Sequence, residues 1–181
     1  MKYLRELKRT DVNSMLEWIK DPEINCFFQF DSDKVSKHEA LEFIDQANIP
    51  QNKRSSYHFA IIDESSNYLG SISLKNVDYR AKTAEYAIAT RKCAHGKGYA
   101  KKATKELLQF GFETLQLNRV YLNVLDENIR AIKFYEKLGF HHEGLFRQHL
   151  YIKDKVVSLR WYAMLKREYE EIKEVEKVDA K

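Results

Sequence analysis

His95-Gly96-Lys97-Gly98-Tyr99-Ala100 is the stretch on which the reading of this 181-residue chain turns. Two glycines at alternate positions leave a backbone that can approach a ligand closely and adopt dihedrals other residues avoid. Directly after it, Ala100, Ala103, Thr104, Leu107, Leu108, Gly111 and Leu115 recur at helical spacing. Directly before it, residues 85–90 read as a strand. Strand, glycine loop and helix N-terminus together form an anion site, because unpaired N–H groups and the positive end of the helix dipole point the same way. The expected ligand is phosphorylated. Neither the three-glycine dinucleotide fingerprint nor the P-loop pattern is present. A glycine pair alone is an ordinary turn, so the neighbouring elements carry the assignment.

Toward the N-terminus, residues 57–62, 68–77 and 83–90 read as three strands with hairpin-length links at 63–67 and 78–82, which predicts an antiparallel meander. Before them come a short strand over 3–7 and a helix capped by Thr10 or Asp11. That helix carries Val12, Met15, Leu16 and Ile19 on one face and stops at Asp21-Pro22. An aromatic loop over 26–30, a helix over 36–47 and a polar loop over 50–56 complete this half.

Toward the C-terminus, the alternation of residues 119–124 marks a strand, and Asp126 or Asn128 caps a helix that runs through Leu138 and closes at Gly139. Residues 140–152 and 156–165 read as a last hairpin turning near Lys153-Asp154-Lys155. From Lys166 the chain is highly charged, a helix extension expected to fray. The expected organisation is one domain over residues 1–165 with a tail over 166–181. The order β-α-α-β-β-β-α-β-α-β-β predicts an α+β fold, a mixed sheet with helices on both faces. The strands flanking the glycine loop and its helix should be parallel neighbours.

With 44% hydrophobic residues the chain can build a substantial core. The net charge of +4 comes from interleaved acids and bases with no basic stripe, which argues against a nucleic-acid partner. No apolar run approaches the roughly 20 residues needed to cross a bilayer. The first residues lack the apolar stretch of a signal peptide. The two cysteines, Cys26 and Cys93, set no disulfide framework, and a cytoplasmic protein is expected.

A second motif lies downstream: Asn128, Ala131, Tyr135, Gly139 and Phe140, spaced as Asn-x-x-Ala-x-x-x-Tyr-x-x-x-Gly-Phe. With the glycine loop it resembles the paired signatures of the GNAT superfamily of N-acetyltransferases, and within it the enzymes acting on ribosomal-protein alanine termini, spermidine and amino sugars. His95 stands where that family carries Gln or Arg. The resemblance implies a GNAT-like, mostly antiparallel sheet with a V-shaped split between two parallel central strands. It implies acetyl-CoA as acetyl donor, its pyrophosphate on the backbone of His95, Gly96, Lys97, Gly98, Tyr99 and Ala100. Pantetheine would follow Ile88, Ala89 and Thr90 and meet Asn128. Tyr135 would be the acid for the departing sulfur, Glu85 the general base and the Ile88 N–H an oxyanion donor, with no metal. The implied acceptor is a primary amine, of a polyamine, an amino sugar or a protein N-terminus, attacking the thioester directly. The alternative is a non-catalytic acyl-CoA-binding regulatory module. A homodimer is compatible with the resemblance.

Each residue also has a plainer reading. Tyr135 can be a core aromatic packed with Ala131 and Leu138, Glu85 a solvated strand carboxylate, and Asn128 a helix cap. Cys93 and His95 lack an orienting carboxylate nearby, so they are bystanders rather than a nucleophile–base pair. His141 and His142 point to opposite faces of a strand and make no metal site. Trp18, Phe27, Phe28 and Phe30 form either an acceptor wall or ordinary core. The acids Asp31, Asp33 and Glu39 have no assigned role.

Overall fold

The computed structural model describes residues 1–50, 54–152 and 154–179. Seven strands form one mixed sheet: β1 (Leu4–Arg5), β2 (Tyr57–Ile62), β3 (Tyr68–Asp78), β4 (Thr83–Thr90), β5 (Arg119–Leu125), β6 (His141–Ile152) and β7 (Lys155–Leu165). Their spatial order is β1-β2-β3-β4-β5-β7-β6. The sheet is mostly antiparallel, and its one parallel pair is β4 with β5, in the register Thr83↔Arg119, Ala84↔Val120 and Glu85↔Tyr121. The helices are α1 (Val12–Ile19), α2 (Pro22–Asn25), α3 (Lys37–Asn48), α4 (Tyr99–Gln109), α5 (Ile129–Lys137) and α6 (Lys166–Asp179). The chain divides into two compact units, Met1–Val77 with Tyr86–Leu107, and Asp78–Glu85 with Leu108–Lys181.

In the first unit, Leu7, Val12, Met15, Trp18, Ile44, Ala60 and Tyr68 are buried together. The Trp18 indole N–H donates to the Tyr68 hydroxyl at 3.0 Å, so two aromatic polar tips satisfy each other inside an apolar core. Ser36 and Glu39 make a reciprocal capping box at the start of α3: Ser36 Oγ accepts the Glu39 amide at 3.2 Å, and the Glu39 carboxylate accepts the Ser36 amide at 2.7 Å. Helix α1 ends at Ile19, ahead of Asp21-Pro22 as expected; the short helix after it was not expected, and the expected cap needs correction. Pro22 opens α2 at its first position, with Asp21 accepting the Glu23 amide at 3.0 Å, because proline's fixed φ suits a helix start. Asp11 precedes α1 but makes no side-chain cap; its carboxylate is engaged by both guanidinium nitrogens of Arg5 and by the Lys8 amide. Of the loop expected over 50–56, residues 51–53 lie outside the described residues.

In the second unit, Val120, Leu122 and Val124 of β5 point into the core, with Met164 and Tyr162 of the adjacent β7. After α4 the helix widens into a π-type turn over Phe110–Thr114, where the Leu115 amide reaches Phe110 O at 3.0 Å. Within that turn Phe112 is fully buried and stacks on Tyr169 of α6 at 4.9 Å. Glu113 accepts the Tyr169 hydroxyl at 2.7 Å and pairs with Lys173; these contacts hold its carboxyl far down, at about 2. The fraying expected after Lys166 is therefore corrected. Residues 166–179 form a helix held by side chains from the π-type turn, contacts no local pattern announces. Lys153, in the expected hairpin turn, lies outside the described residues. Among those described, no helix is long and apolar enough to cross a membrane.

Candidate active site

Gly96 and Gly98 adopt left-handed φ values of +74° and +78°. Nothing lies within 4 Å of a Cβ built at either, so the dihedral and not crowding demands glycine. The His95 amide donates to Lys92 O at 3.0 Å and the Lys97 amide to Ala94 O at 3.4 Å, closing the turn that leads in. Helix α4 starts at Tyr99, and its first helical bond runs from the Lys102 amide to Gly98 O at 3.1 Å. The amides of Gly96, Gly98, Tyr99 and Ala100 therefore have no acceptor among the described residues. Unspent donors, the positive helix end and open left-handed glycines fit a diphosphate. Of the six amides expected to face a diphosphate, those of His95 and Lys97 are consumed by the turn and four remain.

A buried pair fixes this helix end under β4. The Tyr86 hydroxyl and Thr104 Oγ1 lie 2.8 Å apart, and Thr104 Oγ1 donates on to Ala100 O at 2.7 Å. Neither residue was singled out from sequence, because Thr104 reads there only as one of a helix's inward positions. On the adjacent strand, a Cβ on Gly70 would sit 2.3 Å from Ala89 O, so β3 and β4 approach closely beside the segment expected to meet pantetheine. His95 turns its ring back toward Thr90 O, at 3.3 Å.

In the second unit the Asn-to-Phe motif is a helix written from cap to cap. Asn128 Oδ1 accepts the Ala131 amide at 3.1 Å. At the other end the Gly139 amide returns to Glu136 O at 3.0 Å and the Phe140 amide to Tyr135 O at 3.1 Å, a Schellman closure. The Tyr135 and Phe140 rings meet edge to face at 6.0 Å, the apolar contact that accompanies such a cap. Tyr135 is 7% exposed, and burial pushes its hydroxyl well above the usual phenol range, so it stays protonated at neutral pH. Glu85 is half-buried on β4, level with Tyr121 of β5. Burial and the Glu85 carboxylate both raise the Tyr121 phenol.

The chain matches the Acetyltransferase (GNAT) domain over residues 3–141. It belongs to the GNAT acetyltransferases. This GNAT chain is 28% identical over 167 residues to an uncharacterized N-acetyltransferase, p20, of Bacillus licheniformis, covering 92% of this chain and 93% of the relative. It is 27% identical over 176 residues to the spermidine N(1)-acetyltransferase of Vibrio cholerae, covering 92% and 94%. Among solved structures, the Vibrio cholerae spermidine N-acetyltransferase in complex with CoA and spermine superposes with a TM-score of 0.82 at 25% identity, over 92% of this chain and 96% of that one. The chain is thus an acetyl-CoA-dependent N-acetyltransferase with the fold its motifs imply.

Other candidates in this GNAT acetyltransferase resolve toward the plainer reading. Asp31 caps the Asp33 amide at 3.2 Å and pairs with Lys34, while Glu39 is spent on its capping box. Trp18 is core, whereas Phe27 and Phe30 are 38% and 50% exposed. Cys26 and Cys93 are exposed free thiols. His142 packs against the Tyr162 ring at 5.1 Å. Among the described residues no group of three His, Cys, Asp or Glu side chains could hold a metal ion.

Proposed function

We propose that this enzyme acetylates a primary amine of a polyamine. The observation that carries the donor half is the set of unspent amides at Gly96, Gly98, Tyr99 and Ala100, which would hold the diphosphate of acetyl-CoA. Ile88, Ala89, Thr90 and the Asn128 side chain would hold the pantetheine arm, and the Ile88 amide would face the developing oxyanion. When bound, acetyl-CoA supplies an acetyl group already activated as a thioester. Glu85 takes the proton of the attacking ammonium at its carboxylate, directly or through one water. Tyr135 holds its proton at Oη until the sulfur departs and then gives it up. The acceptor class is supported by the spermidine acetyltransferases that align with this chain over nearly its whole length.

The test is free-thiol release from acetyl-CoA with spermidine, spermine, an amino sugar and an alanine-terminated peptide, each over a concentration series. Saturable release with the polyamines at the lowest KM is the expected result. Saturable release with the amino sugar or peptide and none with polyamines reassigns the acceptor. Acetyl-CoA binding without release for any amine leaves an acyl-CoA-binding module instead.

A further inference from the structure

One carboxylate locks the turn between β2 and β3. Asp63 Oδ1 accepts the Ser65 and Asn67 amides at 3.0 and 2.9 Å, and Asp63 Oδ2 accepts the Asn67 side-chain amide at 2.9 Å. Glu64 stands on this turn, and its Oε2 accepts the Tyr99 hydroxyl at 2.6 Å. Tyr99 is the first residue of α4 and carries one of the four unspent amides. Its ring meets Tyr3 edge to face at 6.4 Å. Lys102, one turn on, has its Nζ 4.0 Å from Glu64 Oε1, 4.8 Å from the Tyr3 ring centre and 5.4 Å from that of Tyr99. The Lys2 and Tyr3 amides both donate to the Glu106 carboxylate of the same helix, at 2.7 and 3.0 Å. The bond to Glu64 pushes the Tyr99 phenol up to about 12, so the hydroxyl remains a donor at neutral pH.

We infer that Glu64 is a positioning residue for the acetyl donor: by holding the Tyr99 hydroxyl it fixes the junction of the glycine loop with α4, and with it the amides that face the diphosphate. The need for such a brace comes from the loop itself. Gly96 and Gly98 have no Cβ, so their backbone has the most freedom to lose when a ligand orders it. A donor set ordered in advance removes that cost from binding. Thr104 Oγ1 ties down the inner side of this first turn through Ala100 O at 2.7 Å, and Glu64 holds its outer side. An ion pair as exposed as Glu64–Lys102 contributes little to stability, which leaves ordering of the donors as the effect to measure. Lys102 also offsets the Glu64 charge, which would otherwise oppose an anion at this helix end. The role of Glu64 presupposes that the diphosphate sits on the four unspent amides.

The test is acetyl-CoA binding by calorimetry to Glu64→Ala, Tyr99→Phe, the double variant, Glu64→Gln and Gly98→Ala. Tyr99→Phe keeps the ring beside Tyr3 and Lys102 and removes only the hydroxyl. Glu64→Ala and Tyr99→Phe should each weaken binding about five-fold, the scale of one net hydrogen bond. The double variant should lose about five-fold as well, because the two residues act through one bond. Glu64→Gln keeps an oxygen that accepts the hydroxyl and should recover most of the loss. With the acceptor that the thiol-release series identifies, Glu64→Ala should raise the acetyl-CoA KM and keep kcat at saturation. Unchanged or tighter binding in Glu64→Ala overturns the assignment. So do losses that multiply in the double variant, or a lowered melting temperature with binding unchanged. Gly98→Ala separates this role from the site it depends on. If Gly98→Ala binds acetyl-CoA as tightly as the wild type, the placement of the diphosphate on the loop is what fails. If it weakens binding while the Glu64 and Tyr99 variants do not, the brace alone fails.

Discussion

The glycine loop of the first unit and helix α5 of the second both carry signature residues, and they dispose of their backbone donors in opposite ways. In α5 the Asn128 side chain takes the Ala131 amide, and the Gly139 and Phe140 amides return to carbonyls of the helix itself. In the loop the amides of Gly96, Gly98, Tyr99 and Ala100 go to no acceptor among the described residues. A helix end that satisfies itself contributes to stability, whereas one that leaves its donors pointing outward contributes to binding. The Asn-to-Phe motif is then mostly architecture, and in the proposed reaction the Tyr135 hydroxyl is the group it delivers.

Removing that hydroxyl is the most forceful way to break the contrast. Tyr135→Phe keeps the ring that closes the Schellman cap, so the melting temperature and acetyl-CoA affinity should hold while kcat falls about 100-fold or more. A variant that instead unfolds early, with normal turnover per folded molecule, would return Tyr135 to the core. The next effect in size separates two glycines. Gly139→Ala forces a side chain into φ +91° with its Cβ 2.4 Å from the Cδ1 of Ile172, and should cost about 1–2 kcal/mol in urea unfolding with unchanged acetyl-CoA affinity. Gly98→Ala meets no neighbour and sits on an exposed loop, so it should weaken acetyl-CoA binding about ten-fold by calorimetry while costing under about 1 kcal/mol of stability. Equal effects of both substitutions on binding and stability would erase the distinction.

How much of this was legible depended on the range of the interaction. The strand, glycine loop and helix around residues 95–100 showed in local spacing, and so did the caps at Asn128 and Gly139, because caps are set within one turn. The parallel pairing of β4 with β5 followed from a helical crossover between them. The persistence of α6 did not show, since Glu113, which anchors Tyr169 and Lys173, lies far away in sequence. The Tyr86–Thr104 and Glu64–Tyr99 bonds were hidden for the same reason: tertiary packing, not spacing, brings those side chains together. At Pro22 the stop of α1 was legible, but the short helix that the same proline opens was not, because proline both ends helices and starts them.

The smallest effect tests whether stability can be moved without touching either region. His58 lies on β2, half-buried, its Nδ1 2.7 Å from Ser73 Oγ and its ring against Phe43 at 4.8 Å. Burial first, then the positive charges of Lys75 and Arg54, lower its pKa from 6.5 to about 4. The folded chain therefore refuses a proton that the unfolded chain accepts. The contribution is fully present above about pH 6.5, is lost as pH falls from there toward about 4, and changes no further below that. After discounting for its partial exposure the loss is about 1–2 kcal/mol. Urea unfolding at pH 7 and pH 5 should show a steeper acid loss in the wild type than in His58→Gln. The acetyl-CoA shift at pH 7 should be the same in both, because the amides of the loop do not titrate. An identical pH slope in the two proteins would mean that His58 takes up its proton in the folded chain as readily as in the unfolded one.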